Sequence, residues 1–127
     1  MSENGGKLTL DVLDAPEAEG VAVLAVGGEV DLANADDLAV ALQAPEVADA
    51  AAIVLDLSDV TFLDSSGLRV VLIAAREHGD RFATVVADES AVARLFSLVE
   101  VSDRLTVARS RSEALAALPA GEPDEAG

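Results

Sequence analysis

The sequence predicts an α/β fold: a single domain built on one mixed, mostly parallel sheet that opens with an antiparallel hairpin, with about four helices packed on it. Three observations carry this. Two short apolar runs near the N-terminus are joined by a charged, turn-rich segment, as in a hairpin. From there to the C-terminus strand-like and helix-like patterns alternate, which calls for parallel neighbours joined by helical crossovers. The chain also has 127 residues, 51% of them hydrophobic, enough for one core despite a formal net charge of −16.

The elements follow in order. Leu8, Leu10 and Val12 alternate with Thr9, Asp11 and Leu13, the period of a half-buried strand, and residues 21–26 form a second apolar run. Residues 14–20 between them carry Pro, Gly and charge, and Gly27-Gly28 is expected to end the pair. Over residues 34–43, Leu38 and Leu42 share a helical face, Asp36 and Asp37 favour the positive end of the dipole, and Pro45 should prevent continuation. Residues 52–56, Ala-Ile-Val-Leu-Asp, are a short, continuous β-branched run of the kind buried on both faces of a parallel sheet. Leu68, Val71, Leu72 and Ala75 then repeat at helical spacing, with Gly79 as a left-handed stop. Residues 81–86 predict another buried strand. Ser90 is placed to cap a helix with Val92, Leu95, Phe96 and Val99 inward. A last short strand is expected over 105–108, followed by the Ser110-x-x-Glu113 capping box of a helix that buries Leu115 and Leu118. Residues 1–7 are expected to be a mobile N-terminus and 119–127 a disordered acidic tail, leaving 8–118 as the domain.

Charge and composition exclude several functions. With 24 Asp and Glu against 8 Lys and Arg, the chain lacks the basic stripe that binds phosphate backbones or anionic lipid, so neither nucleic acid nor a membrane surface is an expected partner. No apolar run nears the roughly 20 residues of a membrane span, and the N-terminus lacks signal-peptide features, which implies a cytoplasmic protein without membrane insertion. Cysteine is absent, which removes disulfides, thiolate metal sites and cysteine nucleophiles. Dispersed acids without a calcium-loop spacing suggest a solvated face, so neither a metal nor another cofactor is expected. His78, the only histidine, falls in a last helical turn, where a solvated role is the simplest one. Charge is also asymmetric: 14 acids and only Lys7 precede Arg69, whereas all seven arginines lie between Arg69 and Arg111.

The segment 56–68, Asp-Leu-Ser-Asp-Val-Thr-Phe-Leu-Asp-Ser-Ser-Gly-Leu, reads as a loop between the third strand and the second helix. Val60, Phe62 and Leu63 should anchor it to the core, leaving Asp64, Ser65, Ser66 and Gly67 at the mouth of the helix. Backbone N–H donors and the positive helix end favour negative charge there. Capping alone needs one such residue and is worth about 1 kcal/mol against Ala; three candidates in a row exceed that need.

Residues 63–68, Leu-Asp-Ser-Ser-Gly-Leu, following 54–58, Val-Leu-Asp-Leu-Ser, and preceded by 28–31, Gly-Glu-Val-Asp, closely resemble the STAS-domain anti-anti-sigma factors of bacteria, also called anti-sigma factor antagonists. The resemblance runs from about Leu8 to Leu118 and includes element order. It implies a single STAS domain that is not an enzyme but a switch. The first serine after the aspartate, Ser65, would be phosphorylated by an anti-sigma factor that is also a serine kinase. The unphosphorylated form would bind that kinase and free the sigma factor, and a serine phosphatase would restore it. Asp31, Asp64, Ser65, Ser66, Gly67 and Arg69 are the implied partner-binding set, on a monomer or weak dimer. Arg69, four residues after Ser65, is within range of a phosphate there.

Other readings fit less well. A response-regulator receiver would use Asp56, but the lysine it needs late in the chain is missing, since Lys7 is the only one. A serine hydrolase would need the nucleophile elbow and a nearby histidine; His78 lies roughly 15 to 20 Å from Ser65 along a helix. A non-switching STAS subunit of a lipid transporter or a stress-signalling scaffold shares the fold and is the main alternative.

Overall fold

The computed structural model describes residues 7–15, 18–99 and 105–119. Most of the expected mobile N-terminus and acidic tail lies outside these residues, as do residues 16 and 17 of the first connection. Five strands form one sheet in the order β1-β2-β3-β4-β5: Thr9–Asp14, Val21–Val30, Ala52–Leu63, Phe82–Val85 and Thr106–Ala108. The β1/β2 pair is antiparallel and every other pair is parallel, as the alternation of patterns predicts. Among the described residues five α-helices accompany them, α1 Ala35–Gln43, α2 Pro45–Ala48, α3 Ser65–His78, α4 Ala91–Val99 and α5 Arg111–Ala117, with a single 3-10 turn at Gly79–Arg81 after α3.

Strand order that advances by one at each crossover puts successive crossover helices on one face, because such connections share one hand. Accordingly Leu38 and Leu42 of α1, Val47 of α2, Val71 of α3 and Phe96 of α4 join Leu24, Ile53, Leu55 and Phe82 in the main core. The opposite face is thinner. There Ala114 of α5 and Leu118 just beyond it cover Val23, Val54, Ala83, Val85 and Ala108.

One local expectation is extended and two are corrected. Pro45 ends α1 but opens the one-turn α2, since proline's fixed φ and missing N–H suit the first helical position; this turn buries Val47 completely. Gly79 ends α3 with φ 62° and ψ −135°, a glycine conformation outside the left-handed helical region. His78 is half-buried and stacks on Phe82, with ring centroids 6.2 Å apart, rather than lying free in solvent.

The largest correction concerns the sheet's central ribbon. β2 does not stop at Gly27-Gly28 and β3 does not stop at Asp56. Register shifts between Ala25 and Gly27, and between Gly28 and Glu29, let β2 run on to Val30. Gly28, at φ 88°, supplies the positive φ that such an irregularity requires. β3 therefore pairs with β2 as far as Leu63, while its pairing with β4 covers only Ile53 to Asp56. The segment expected as a loop is a two-stranded extension. Backbone pairing here outweighs the poor strand preference of Asp56 and Asp59. Val60 and Leu63 are buried as expected, but Phe62 is 46% exposed and anchors nothing.

Candidate functional site

The site stands at the far end of this extension. Val30 and Leu63 are paired, so the chain leaves both strands side by side, at Asp31 and at Asp64. The Asp64 N–H donates to the Val30 carbonyl at 3.1 Å, which ties the two exits together. Neighbouring strands are about 4.8 Å apart, and this spacing brings the two acidic turns to the same rim.

Asp31 builds the turn into α1. Its N–H donates to Asn34 Oδ1 at 2.9 Å, and its Oδ1 accepts from the Ala33 N–H at 3.0 Å. Asn34 Nδ2 reaches back to the Glu29 carbonyl at 2.9 Å. The Asp31 carboxylate is thus half-buried and partly committed to its own turn.

Asp64 is the N-cap of α3. Its Oδ1 accepts from the N–H groups of Ser66 at 2.8 Å and Gly67 at 3.2 Å, while its carbonyl accepts from the Leu68 N–H at 2.9 Å. The expectation of an open anion cradle is thereby narrowed: of the three donors ahead of Leu68, two already bond to the chain's own carboxylate. Ser65 is left as the first helical residue, exposed, with no capping task for its hydroxyl. Ser66 is half-buried.

Gly67 has a different job. It is buried, and a Cβ placed on it would lie 2.4 Å from Leu63 Cδ1 and 2.8 Å from Val30 Cγ1. Its missing side chain lets α3 rest on the ends of β2 and β3, which holds Ser65 at the rim.

Arg69 is exposed and lines an open groove of about 570 Å³ along α3 together with Ser65, Leu68, Leu72, Ile73 and Arg76. Ser65, Arg69, Leu72, Ile73 and Arg76 follow the i, i+4, i+7, i+8, i+11 spacing of one helical face. Neither arginine has an ion-pair partner among the described residues. Exposed apolar side chains flank the rim and the groove: Leu32 at 81% follows Asp31, Phe62 at 46% stands near the end of β3, and Ile73 at 45% lines the groove. The six implied binding residues are therefore brought to one end of the molecule, with Gly67 beneath the surface and the others on or near it.

Two features escaped the sequence reading. Arg76 extends the cationic stripe, a placement its seven-residue spacing from Arg69 could have revealed. Asp56 is the other: only 6% exposed within β3, it accepts from Ser58 through its N–H at 2.9 Å and its hydroxyl at 2.6 Å, and from Arg111 Nε of α5 at 2.6 Å. Burial pushes the Asp56 carboxyl up, but the Ser58 hydrogen bonds and the Arg111 guanidinium outweigh it and hold the group below the usual carboxylate range. A carboxylate closing a run expected to be buried on both faces was itself the signal that a partner must exist. Among the described residues no cluster of three or more His, Cys, Asp or Glu could hold a metal ion.

Comparison with known proteins gives the fold and its rim a family. The STAS domain family model matches residues 12–114. The chain belongs to the STAS-domain family. This STAS domain is 34% identical over 107 residues to the anti-sigma-F factor antagonist RsfB of Mycobacterium tuberculosis, covering 83% of the chain and 87% of that relative. It is 32% identical over 119 residues to BtrV of Bordetella bronchiseptica, a candidate anti-sigma factor antagonist, covering 92% of the chain and 98% of BtrV. The crystal structure of an anti-sigma factor antagonist from Mycobacterium paratuberculosis superposes on it with a TM-score of 0.78 at 31% identity, covering 89% of this STAS chain and 95% of that one. Among the described residues, no helix of the domain is long and apolar enough to cross a membrane.

Proposed function

We propose that this STAS domain is an anti-sigma factor antagonist that switches partners at Ser65. Unphosphorylated, it binds an anti-sigma factor with serine kinase activity and so frees the sigma factor. Phosphoryl transfer to Ser65 ends the complex, and a serine phosphatase resets it. The chain itself binds rather than catalyses, and it acts in the cytoplasm through the unit formed by residues 8–118. Its relatives' names support the antagonist role.

The observation that carries the switch is the division of labour at the start of α3. Asp64 caps the helix, so the exposed Ser65 hydroxyl is free for a kinase and can be modified without dismantling the fold. Phosphate adds about −1.5 to −2 charges beside Asp64 and Asp31. One like-charge contact with a partner at ~4 Å and an effective dielectric near 20 costs about 4 kcal/mol, or roughly three decades of affinity before screening. The partner surface is Ser65 with Asp31, Asp64, Ser66 and Arg69, and Gly67 supports it from below.

A pull-down with wild type, Ser65→Ala and Ser65→Glu, read by mass spectrometry, tests this. Wild type and Ser65→Ala should retain a soluble kinase that Ser65→Glu loses, and ATP should release only the wild type, with the phosphate located on Ser65. Identical partners for all three chains would refute switching. A transporter ATPase retained by all three would favour the non-switching role.

A further inference from the structure

We propose that Arg69 is an internal receiver for a phosphate on Ser65, drawing the dianion along α3 into the Ser65 end of the groove that Leu68, Leu72 and Ile73 line. This inference rests on the reading of Ser65 as the modified residue. A phosphate on the first residue of a helix has two local sources of stabilisation: the free N–H donors of the first turn and a cation one turn further on. The first is largely spent here. Asp64 Oδ1 already bonds to the Ser66 and Gly67 N–H groups, leaving the Ser65 N–H, and its charge repels a phosphate that turns toward the helix end.

The second source is open. Arg69 lies four residues after Ser65, one turn along the same face, where side chains of this length meet. Both residues are exposed and line the same groove, and Arg69 has no ion-pair partner among the described residues. Arg76 lines the groove too, but lies roughly 16 Å further along the helix axis from Ser65, too far to compete. A guanidinium also matches phosphate oxygens in pairs, which fixes the direction of the captured group.

Capture changes what the groove offers. Unphosphorylated, it presents an apolar wall beside a cation that has no ion-pair partner among the described residues. Phosphorylated, its Ser65 end is filled by a hydrated ion pair that an incoming apolar side chain would have to strip of water. Partner release then arises from occlusion of the groove as well as from repulsion at the rim.

The test uses the full chain with phosphoserine installed at position 65 during translation, followed by ³¹P NMR through a pH titration. The second phosphate pKa, about 6 for an unperturbed phosphoserine, should lie about half a pH unit lower in the wild-type background than in Arg69→Gln. Arg69→Lys should recover part of the difference, and Arg76→Gln should leave the wild-type value. Identical titrations with and without Arg69, or a difference lost in Arg76→Gln instead, would overturn the proposal. The functional reading fails separately. If Ser65 phosphorylation releases the kinase while the titration ignores Arg69, the switch stands and the receiver does not. If the kinase never modifies Ser65, the ³¹P result still reports the pair.

Discussion

Gly67→Ala separates the packing role of the site from ordinary helix preference. In a helix interior, alanine is favoured over glycine by about 1 kcal/mol, so propensity alone predicts a more stable protein. The added methyl, however, would sit 2.4 Å from Leu63 Cδ1, 2.8 Å from Val30 Cγ1 and 3.2 Å from Val30 Cβ. Val30 is fully buried and Leu63 is 5% exposed, so neither can swing into solvent to make room. Overpacking of this kind costs about 1 to 3 kcal/mol, and with three contacts inside van der Waals distance the upper part of that range applies. The net expectation is a loss of about 1 to 2 kcal/mol, or roughly 4 to 8 °C in Tm for a chain of this size. Urea denaturation followed by far-ultraviolet circular dichroism measures it as a lower midpoint at unchanged slope. A midpoint equal to or above wild type would refute the idea that α3 needs glycine to reach the ends of β2 and β3.

Three further outcomes follow from the same contacts. Asp64→Ala removes the acceptor of two first-turn N–H groups and should cost about 1 kcal/mol in urea, whereas Ser65→Ala should stay within about 0.5 kcal/mol of wild type. Arg111→Met strips the guanidinium from the buried Asp56, and because Arg111 is itself half exposed and Ser58 remains, the loss should be about 1 to 3 kcal/mol, with α5 the first element to lose amide-exchange protection. Asp56 is held below the usual carboxylate range, so its contribution is present above its unfolded pKa of about 3.9 and is lost as pH falls through the lower folded value; Asp56→Asn should flatten that acid limb in a stability-versus-pH series.

Much of the molecule was legible from local pattern. The alternation that half-buries Leu8 and Leu10 (though not Val12, which is exposed), the continuous run over 52–56 and the helical spacing of Leu68, Val71 and Ala75 each identified an element that the fold contains, because burial on one face or two writes a period into the chain. Half of the Ser110 capping box forms: the Ser110 hydroxyl accepts from the Glu113 N–H at 3.1 Å, but the Glu113 carboxylate accepts from the Arg109 N–H, one residue before the cap, rather than from Ser110. Residues 57–63 were misjudged for the converse reason. Asp59, Thr61 and Phe62 carry no clean period, and their extended form comes from pairing with a β2 lengthened by its register shifts.

The candidate site divides along the same line. That Asp64, Ser65, Ser66 and Gly67 open a helix, that the chain is strongly acidic and that a STAS-like motif is present are properties of neighbouring residues or of composition, and are legible without coordinates. Which of those residues does what is settled by packing. Capping fell to Asp64 rather than to a serine, Gly67 became a contact point for Val30 and Leu63, and Arg69 joined Arg76 along one groove. Asp56 found Arg111 55 positions away. Such assignments depend on which atoms meet after the β2/β3 ribbon is extended and α3 is seated on its end, and no local spacing records that meeting.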